Sequence, residues 1–329
     1  MCAQSTQSDD GSIFADLDAE ENEGGDGESR VSRRVRMYRR ALGEQWAVLR
    51  QDSLVVASMF VMGFFILMAI VAPFVAPYGQ TERLTSDDGT IAQWEEPSLL
   101  GGEGGHLLGT TAEGYDLFSQ LLYGSRAALL VGLLAAVFVA GIGTMVGLVS
   151  GYYGGRIDDA LMRFVDFMYG LPLLPTVILL VALAGPSLVN LILAIIVLQW
   201  RTTARVIRSQ ALSLRERPFV KAAKVAGASD RHIILKHLAP NVLPLTFLYG
   251  AFSIAWAILT EAGVAFLGLG DPNHVSWGTM LQSARSYDAM VHGAWWWFLP
   301  PGICIALVVI SGFLIGRGYE EITNPELQE

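Results

Sequence analysis

The residues that stand out in this sequence are suited to contact rather than to covalent catalysis. The motifs GxxxxGK[ST], HExxH and GxSxG are absent, so the chain lacks common signatures of nucleotide binding, zinc hydrolysis and serine nucleophiles. No Cys/His spacing indicates a metal, and the two cysteines lie far apart. We therefore expect no catalytic residue, no metal site and no cofactor. The candidate for function is the basic segment 218–241, which lies between two apolar runs.

A short helix is predicted at the start of this segment. Pro218 suits the first turn, where spare N–H groups need no partner, and Gly227 suits a left-handed cap. At 100° per residue a narrow apolar stripe forms, with Lys221 and Lys224 pointing away from it. The members of the stripe are Phe219, Ala222, Ala223 and Ala226. Such a helix fits either a groove on another protein or a surface of anionic lipid headgroups, and its pattern alone does not choose.

Two acids fall within or near apolar runs. Asp166 and Glu261 are candidates for a substrate or ion route, because ionisable groups inside a membrane are costly and often functional. The plainer reading is a hydrated or paired acid near the end of a span. Arg163 lies one helical turn before Asp166 and is the expected partner.

The elements that position these residues are apolar helices. The chain is 52% hydrophobic and 16% charged, against about 25% charged in soluble domains. Six runs approach the ~20 residues that cross a bilayer, which predicts an all-α polytopic membrane protein. They cover 54–77, 127–151, 164–184, 188–207, 241–267 and 294–315. Pro172 and Pro175 are expected to kink the third.

Basic residues set the orientation. Of the 22 Lys and Arg residues, all but Arg83, Arg126 and Arg285 fall on one side of these spans, which predicts that both termini and the 218–241 segment are cytoplasmic. This distribution is typical of topology and does not indicate nucleic-acid binding. The predicted order is a disordered acidic tail (1–32), a basic entry helix (33–52), a first transmembrane helix (53–77), an extracytoplasmic loop (78–125), a transmembrane core (126–318) containing the cytoplasmic loop 208–241, and a cytoplasmic tail (319–329).

The 218–241 segment resembles the EAA loop of ABC importer permeases. The residues that match the EAA pattern are Ala222, Ala223, Gly227 and Pro240. Segments 106–126, 147–166, 210–220 and 266–281 resemble the dipeptide/oligopeptide/nickel permease family, and the run 76–78 with the long first outer loop resembles its C-type subunit. The resemblance covers about residues 34–318.

This resemblance implies a type I ABC importer permease fold with six transmembrane helices and a cytoplasmic coupling helix. It also implies a heterodimer with a B-type permease, two ABC ATPase subunits that hydrolyse the ATP, and an extracytoplasmic solute-binding protein. The chain would lie among the lipids of the plasma membrane. Peptides are the expected cargo, and nickel or sugar stays open as an alternative.

Site residues follow from the same resemblance and from the patterns above. The expected ATPase-coupling residues are Phe219, Lys221, Ala222, Ala223, Ala226, Gly227 and Pro240. The candidates for the translocation pathway are Asp166, Glu261, Ser276, Trp277 and Gly278.

Departures from the family pattern carry their own expectations. Lys221 stands where the family has Glu, and Thr111 and Tyr115 stand where it tends to have Asp and Arg. We expect docking to survive, because Lys221 lies opposite the apolar stripe, and we expect any pairing that Lys221 makes to use an acidic group. Two rival functions are an ion-driven secondary transporter, which calls for buried acids or broken helices at mid-membrane, and a receptor or scaffold without transport.

Overall fold

A computed structural model describes residues 52–85, 89–98 and 105–323. They form helices joined by turns and loops, and two isolated β-bridges lie in the long segment between the first two helices. The predicted acidic tail and all but the last residue of the entry helix lie outside this range. Ten α-helices occur in the described part of the chain. They are α1 (Ser53–Val75), α2 (Leu117–Tyr153), α3 (Gly155–Tyr169), α4 (Leu173–Ala184), α5 (Leu188–Arg215), α6 (Pro218–Val225), α7 (Asp230–Ile233), α8 (Ala239–Val264), α9 (Trp277–Ser286) and α10 (Trp295–Thr323).

Among the described residues, five continuous helical stretches are long and apolar enough to cross a membrane. They are α1, α2, α5, α10 and the stretch Asp230–Leu269, in which π turns at Ile234–Leu238 and Ala265–Leu269 flank α8. The pair α3 and α4 counts as a sixth only as a broken span, because the two helices meet at 85°. The all-α prediction with up to six spans is therefore confirmed.

The third span differs from its prediction. A single kinked helix over 164–184 was expected, but α3 ends at Tyr169 and α4 begins at Leu173 after Pro172, its N-cap. Pro172 has no N–H to continue the ladder, and it disfavours helical geometry in the residue before it. The chain turns at this point instead of bending.

Two further boundaries are also moved. Helix α2 begins at Leu117 because the Asp116 carboxylate accepts the Ser119 N–H at 2.7 Å, so the outer segment after α1 ends before the predicted residue 125. Helix α10 runs to Thr323, beyond the predicted end of the core at 318.

A seam of glycines joins α2 to α5. A β-carbon added to Gly143 would lie 2.8 Å from the Trp200 carbonyl oxygen, and one added to Gly147 would lie 2.6 Å from that of Ala204. Gly151 repeats this one turn on, at 2.9 Å from the Arg208 carbonyl oxygen. Small residues at this spacing let helix backbones approach closely. The two helices pack backbone to backbone along this seam.

The ends of the helices carry different structures. At one end, called the inner end here, α6 and α7 fold under α2 and α5. At the other, the outer end, the segment before α2 packs beside α9. There the Thr111 hydroxyl oxygen accepts the Tyr115 and Glu113 N–H groups, and the Tyr115 hydroxyl accepts a hydrogen bond from Arg83 at 3.3 Å. Thr111 and Tyr115, two of the three residues that depart from the family pattern, thus form local hydrogen bonds.

Candidate functional site

Helix α6 has the boundaries that the sequence predicts. Pro218 occupies its first turn, and Gly227 has a φ of +82° just after its end. The Gly227 N–H binds the Lys224 carbonyl and the Ala228 N–H binds the Ala223 carbonyl, both at 3.1 Å. This is the Schellman arrangement, which leaves few free carbonyls at the helix end. The predicted left-handed cap is confirmed.

The buried and exposed faces of α6 do not coincide with the predicted apolar stripe. Val220 is buried and Ala223 is half-buried, and both pack on a core that includes Leu214, Ile233 and Leu238. Placing Ala223 on the outward face was therefore wrong. The outward face contains Phe219 (43% exposed), Ala222, Ala226 and Val225 (90% exposed).

Sequence reasoning missed Val225, because it grouped the alanines and did not ask which residue anchors the helix. Val220 is that anchor. Once it is placed inward, Val225 falls on the opposite side at helical spacing.

Lys221 has an acidic partner within its own chain. Its Nζ lies 3.1 Å from Glu216 Oε2, and Arg215 Nε lies 3.4 Å from the other oxygen of the same carboxylate. The hydrogen bond from Lys221 holds the pKa of Glu216 below its usual value. The expectation that Lys221 pairs with an acid is confirmed. Because both side chains are well exposed, salt screens the pair.

Hydrogen bonds that involve charged side chains join the ends of α2, α3, α5 and α7 to one another. Arg215 Nη1 donates to the carbonyl oxygen of Tyr152 at 3.2 Å, at the C-terminal end of α2. The Tyr152 hydroxyl donates to Asp230 Oδ1 at 2.6 Å. Deeper inside, Arg208 makes a two-pronged bond to the Asp158 carboxylate. These bonds tie α5 to α2, α7 to α2, and α5 to α3.

Pro240 marks a change of helical winding rather than part of the outward face of α6. The π turn Ile234–Leu238 comes just before it, and Pro240 has no N–H to give to the preceding turn. The Asn241 side chain donates to the His237 carbonyl at 2.6 Å. The His237 ring also approaches Phe219, with 6.3 Å between ring centroids.

The predicted pathway residues do not form one group. Asp166 is exposed near the inner end and pairs with Arg205 at 2.7 Å, so the expected Arg163 pair is wrong. Glu261 is only 3% exposed and lies beside the Ser276 hydroxyl, at the outer end of α8.

Trp277 and Gly278 are packing residues. Trp277 is fully buried and donates to the Leu121 carbonyl at 3.0 Å. A β-carbon on Gly278 would lie 2.8 Å from Ala262 Cα, so glycine is needed where α9 approaches α8. Glu261, Ser276 and Gly278 therefore meet at one joint, far from Asp166.

A cavity that sequence reasoning did not place lies between α5 and α8. Its volume is ≈ 350 Å³. Its lining combines polar and aromatic side chains, among them Gln199, Arg201, Thr202, Tyr249, Ser253 and Trp256. The available signal was the presence of Gln199 and Arg201 within an apolar run. No group of three His, Cys, Asp or Glu side chains that could hold a metal ion occurs in the part of the chain that the structure describes.

Comparisons with known proteins give consistent matches. Residues 143–327 match the family model described as binding-protein-dependent transport system inner membrane component. Residues 41–93 match the model described as the N-terminal TM domain of oligopeptide transport permease C.

Curated relatives match over most of their length. The dipeptide transport system permease protein of Bacillus subtilis is 33% identical over 286 residues, covering 87% of this chain and 86% of the relative. The oligopeptide transport system permease protein of Haemophilus influenzae is 36% identical over 273 residues, covering 82% and 84%. Among solved structures, an inward-facing form of the MetNI methionine ABC transporter aligns with a TM-score of 0.47 and 17% identity, covering 63% of this chain and 96% of that one.

Proposed function

This chain belongs to the family of binding-protein-dependent transport system inner membrane components, and from that premise we propose that it forms half of the translocation pathway of an ABC importer for peptides. The relatives named as dipeptide and oligopeptide permeases support the cargo. The observation that carries the coupling part is the outward face of α6, which is apolar, exposed and held on a rigid support. ATP is hydrolysed by partner subunits.

The proposed assembly has four kinds of component. This chain pairs with a second permease of the B type, two ABC ATPases bind at the inner end, and a solute-binding protein delivers cargo at the outer end. The basic residues gathered around the inner end support a cytoplasmic position for it and for both termini in the plasma membrane.

The coupling step is a movement of α6 by the ATPases. Phe219 and Val225 insert into a groove on the ATPase, where buried apolar anchors supply most of the binding energy. Because Asp230, at the start of α7, binds Tyr152 of α2, and Arg215, at the end of α5, binds the same end of α2, a displacement of α6 is passed to the spans. Lys221 is held to one side by Glu216 and leaves the apolar face clear.

Docking is tested with Val225→Asp. A charge at this anchor is expected to cost about 2 kcal/mol or more of ATPase binding, which is about thirtyfold in affinity. Val291→Asp is the matched control, because Val291 is 83% exposed at the outer end. Co-purification of the ATPases with the Val225 variant at wild-type yield would contradict docking through α6.

Cargo and energy source are tested in proteoliposomes that contain the two permeases, the ATPases and the binding protein. We expect uptake of a labelled dipeptide that needs ATP and stops with vanadate. Uptake that needs no ATP and collapses with an ionophore would support the secondary transporter. Uptake of nickel or of a sugar, without uptake of the dipeptide, would show that the cargo is not a peptide.

A further inference from the structure

The cavity between α5 and α8 lies within two stretches that are long and apolar enough to cross a membrane. Polar groups that face hydrocarbon cost free energy, so polar cavities inside spans usually hold water or a passing solute. Hydroxyl, amide and aromatic groups near the middle of both helices line this cavity. Its position and chemistry are those of a cargo-contact site.

Arg201 is the one charged residue in the lining of this cavity. Its Nη1 donates to the carbonyl oxygens of Met168 and Leu171, the latter at 3.3 Å, and its guanidinium lies 4.9 Å from the centre of the Tyr169 ring. Within the described ranges it forms no ion pair, and its Nε and Nη2 bind no acceptor. An arginine has five N–H donors, so several stay available to a ligand.

Arg205 shows the contrast one turn further along α5. Its guanidinium also stacks on Tyr169, at 4.1 Å from the ring centre, but it is neutralised by Asp166 at 2.7 Å. It does not line the cavity. The positive charge that faces the cavity therefore belongs to Arg201.

Three of the other polar side chains in the lining each make a hydrogen bond within the chain. Gln199 Nε2 donates to Thr260 Oγ1 at 3.4 Å, and the Ser253 hydroxyl donates to the Tyr249 carbonyl at 2.7 Å. Thr202 Oγ1 accepts from the Tyr169 hydroxyl. These neutral groups can form hydrogen bonds with the main chain of a bound peptide, and the Tyr249 and Trp256 rings can contact an apolar side chain of that peptide.

We propose that Arg201 binds the carboxylate of the cargo as it passes through this cavity, while Tyr249 and Trp256 receive its side chain. This inference rests on the proposed import of peptides and narrows it to cargo with a free carboxylate. Guanidinium and carboxylate form paired, charge-assisted hydrogen bonds. A positive charge that is not neutralised by an acid repels a divalent cation, which disfavours nickel as the cargo.

A purely structural role for Arg201 makes different predictions. In that case the arginine serves to brace the chain break between α3 and α4 through the Met168 and Leu171 carbonyls. A lysine cannot reproduce that geometry, because it lacks the planar fork of donors. Lysine does keep the positive charge, so the Arg201→Lys variant separates charge from bracing.

The experiment measures dipeptide uptake by the complete importer in proteoliposomes, with binding protein saturated by Ala-Ala so that its own selectivity does not enter. Arg201→Gln is expected to slow uptake about tenfold, as for one lost hydrogen bond to a charged group. Arg201→Lys is expected to lose less of the rate than Arg201→Gln, because lysine keeps the positive charge but not the paired donors. Arg205→Gln, the matched control, is expected to transport at the wild-type rate, and the peptide-free ATPase rate is expected to stay constant in all three variants.

The outcomes separate the two levels of the argument. If the wild-type importer takes up the dipeptide and Arg201→Gln does so at the same rate, the carboxylate site is overturned and the proposed function stands. Equal loss in the Gln and Lys variants, together with loss of the peptide-free ATPase rate, shows bracing and also overturns it. Absence of peptide uptake by the wild-type importer overturns the proposed function, and the carboxylate site with it.

Discussion

The inner and outer ends of this molecule are held together by different forces. At the inner end, directional hydrogen bonds join the C-terminal end of α2 to Arg215 at the end of α5 and to Asp230 at the start of α7. At the outer end, α9 is held mainly by packing of neutral groups, with Trp277 edge-on against Phe65 at 5.4 Å between ring centroids and one hydrogen bond from its Nε1 to the Leu121 carbonyl. Directional bonds to charged groups fix an orientation, whereas apolar contact fixes only proximity. The inner end is therefore suited to transmit a displacement, and the outer end to keep α9 in place.

The largest effect is expected from removing the packing at the outer end. Trp277→Ala should lower the free energy of unfolding by about 3–5 kcal/mol, because a fully buried ring leaves a cavity. Thermal unfolding in detergent measures this. Trp295→Ala is the control, since Trp295 is 44% exposed.

Equal losses in the two tryptophan variants would contradict the contrast between the ends. If Trp277→Ala does not fold, Trp277→Phe keeps most of the packing and should show a smaller loss of the same kind.

A smaller effect is expected from cutting one directional bond at the inner end. Tyr152→Phe keeps the ring and removes the bond to Asp230, a bond to a charged group worth about 1.5 kcal/mol. We expect ATPase docking to be retained and the ratio of peptide imported to ATP hydrolysed to fall. Tyr153→Phe is the matched control, because that ring is exposed and packs on Tyr152. An unchanged ratio in the Tyr152 variant would show that the bond to Asp230 is not needed to couple ATP hydrolysis to import.

The cap of α6 offers a purely conformational test. Gly227→Val should impose about 1 kcal/mol or more of backbone strain, although an added β-carbon meets nothing within 4 Å. We expect ATP hydrolysis to continue while uptake falls. Gly227→Asn is the control, because asparagine tolerates the left-handed region. Normal uptake with valine would mean that the aim of α6 does not depend on this cap.

The smallest effect is expected at the exposed pair. Lys221→Glu places two carboxylates side by side where Lys221 and Glu216 now attract. Coupled ATPase activity should fall slightly at low salt and recover at high salt, because exposed charges are screened. Exchanging both residues, Lys221→Glu with Glu216→Lys, should restore it. A loss that persists in the double exchange would indicate an acidic partner on the ATPase.

Local signals in the sequence predicted what depends on neighbouring residues. Pro218 and Gly227 bound α6 because caps and first turns are encoded within a few positions. The spans followed from composition and length. The break before α4 was read as a kink, since a proline pattern does not say whether the helix resumes in the same direction.

Contacts between distant helices were not predictable in the same way. Asp166 was matched to Arg163 on its own helix, but its partner Arg205 is on α5. The outward position of Val225 depends on which face the core of Leu214 and Ile233 receives. The cavity arises from side chains on two helices that meet only in the folded chain. Gln199 and Arg201 within an apolar run were a signal that sequence reasoning did not use, and they carry no information about the opposite wall.

The glycine seam between α2 and α5 has a practical consequence. With backbone atoms of α5 occupying the places where side chains of α2 would stand, the two helices cannot slide past each other without a clash. Two spectroscopic labels, one on each helix, should therefore keep a constant separation throughout the transport cycle. The distance between the two labels is then a fixed reference, against which movements of α6, α9 or α10 can be measured in the working importer.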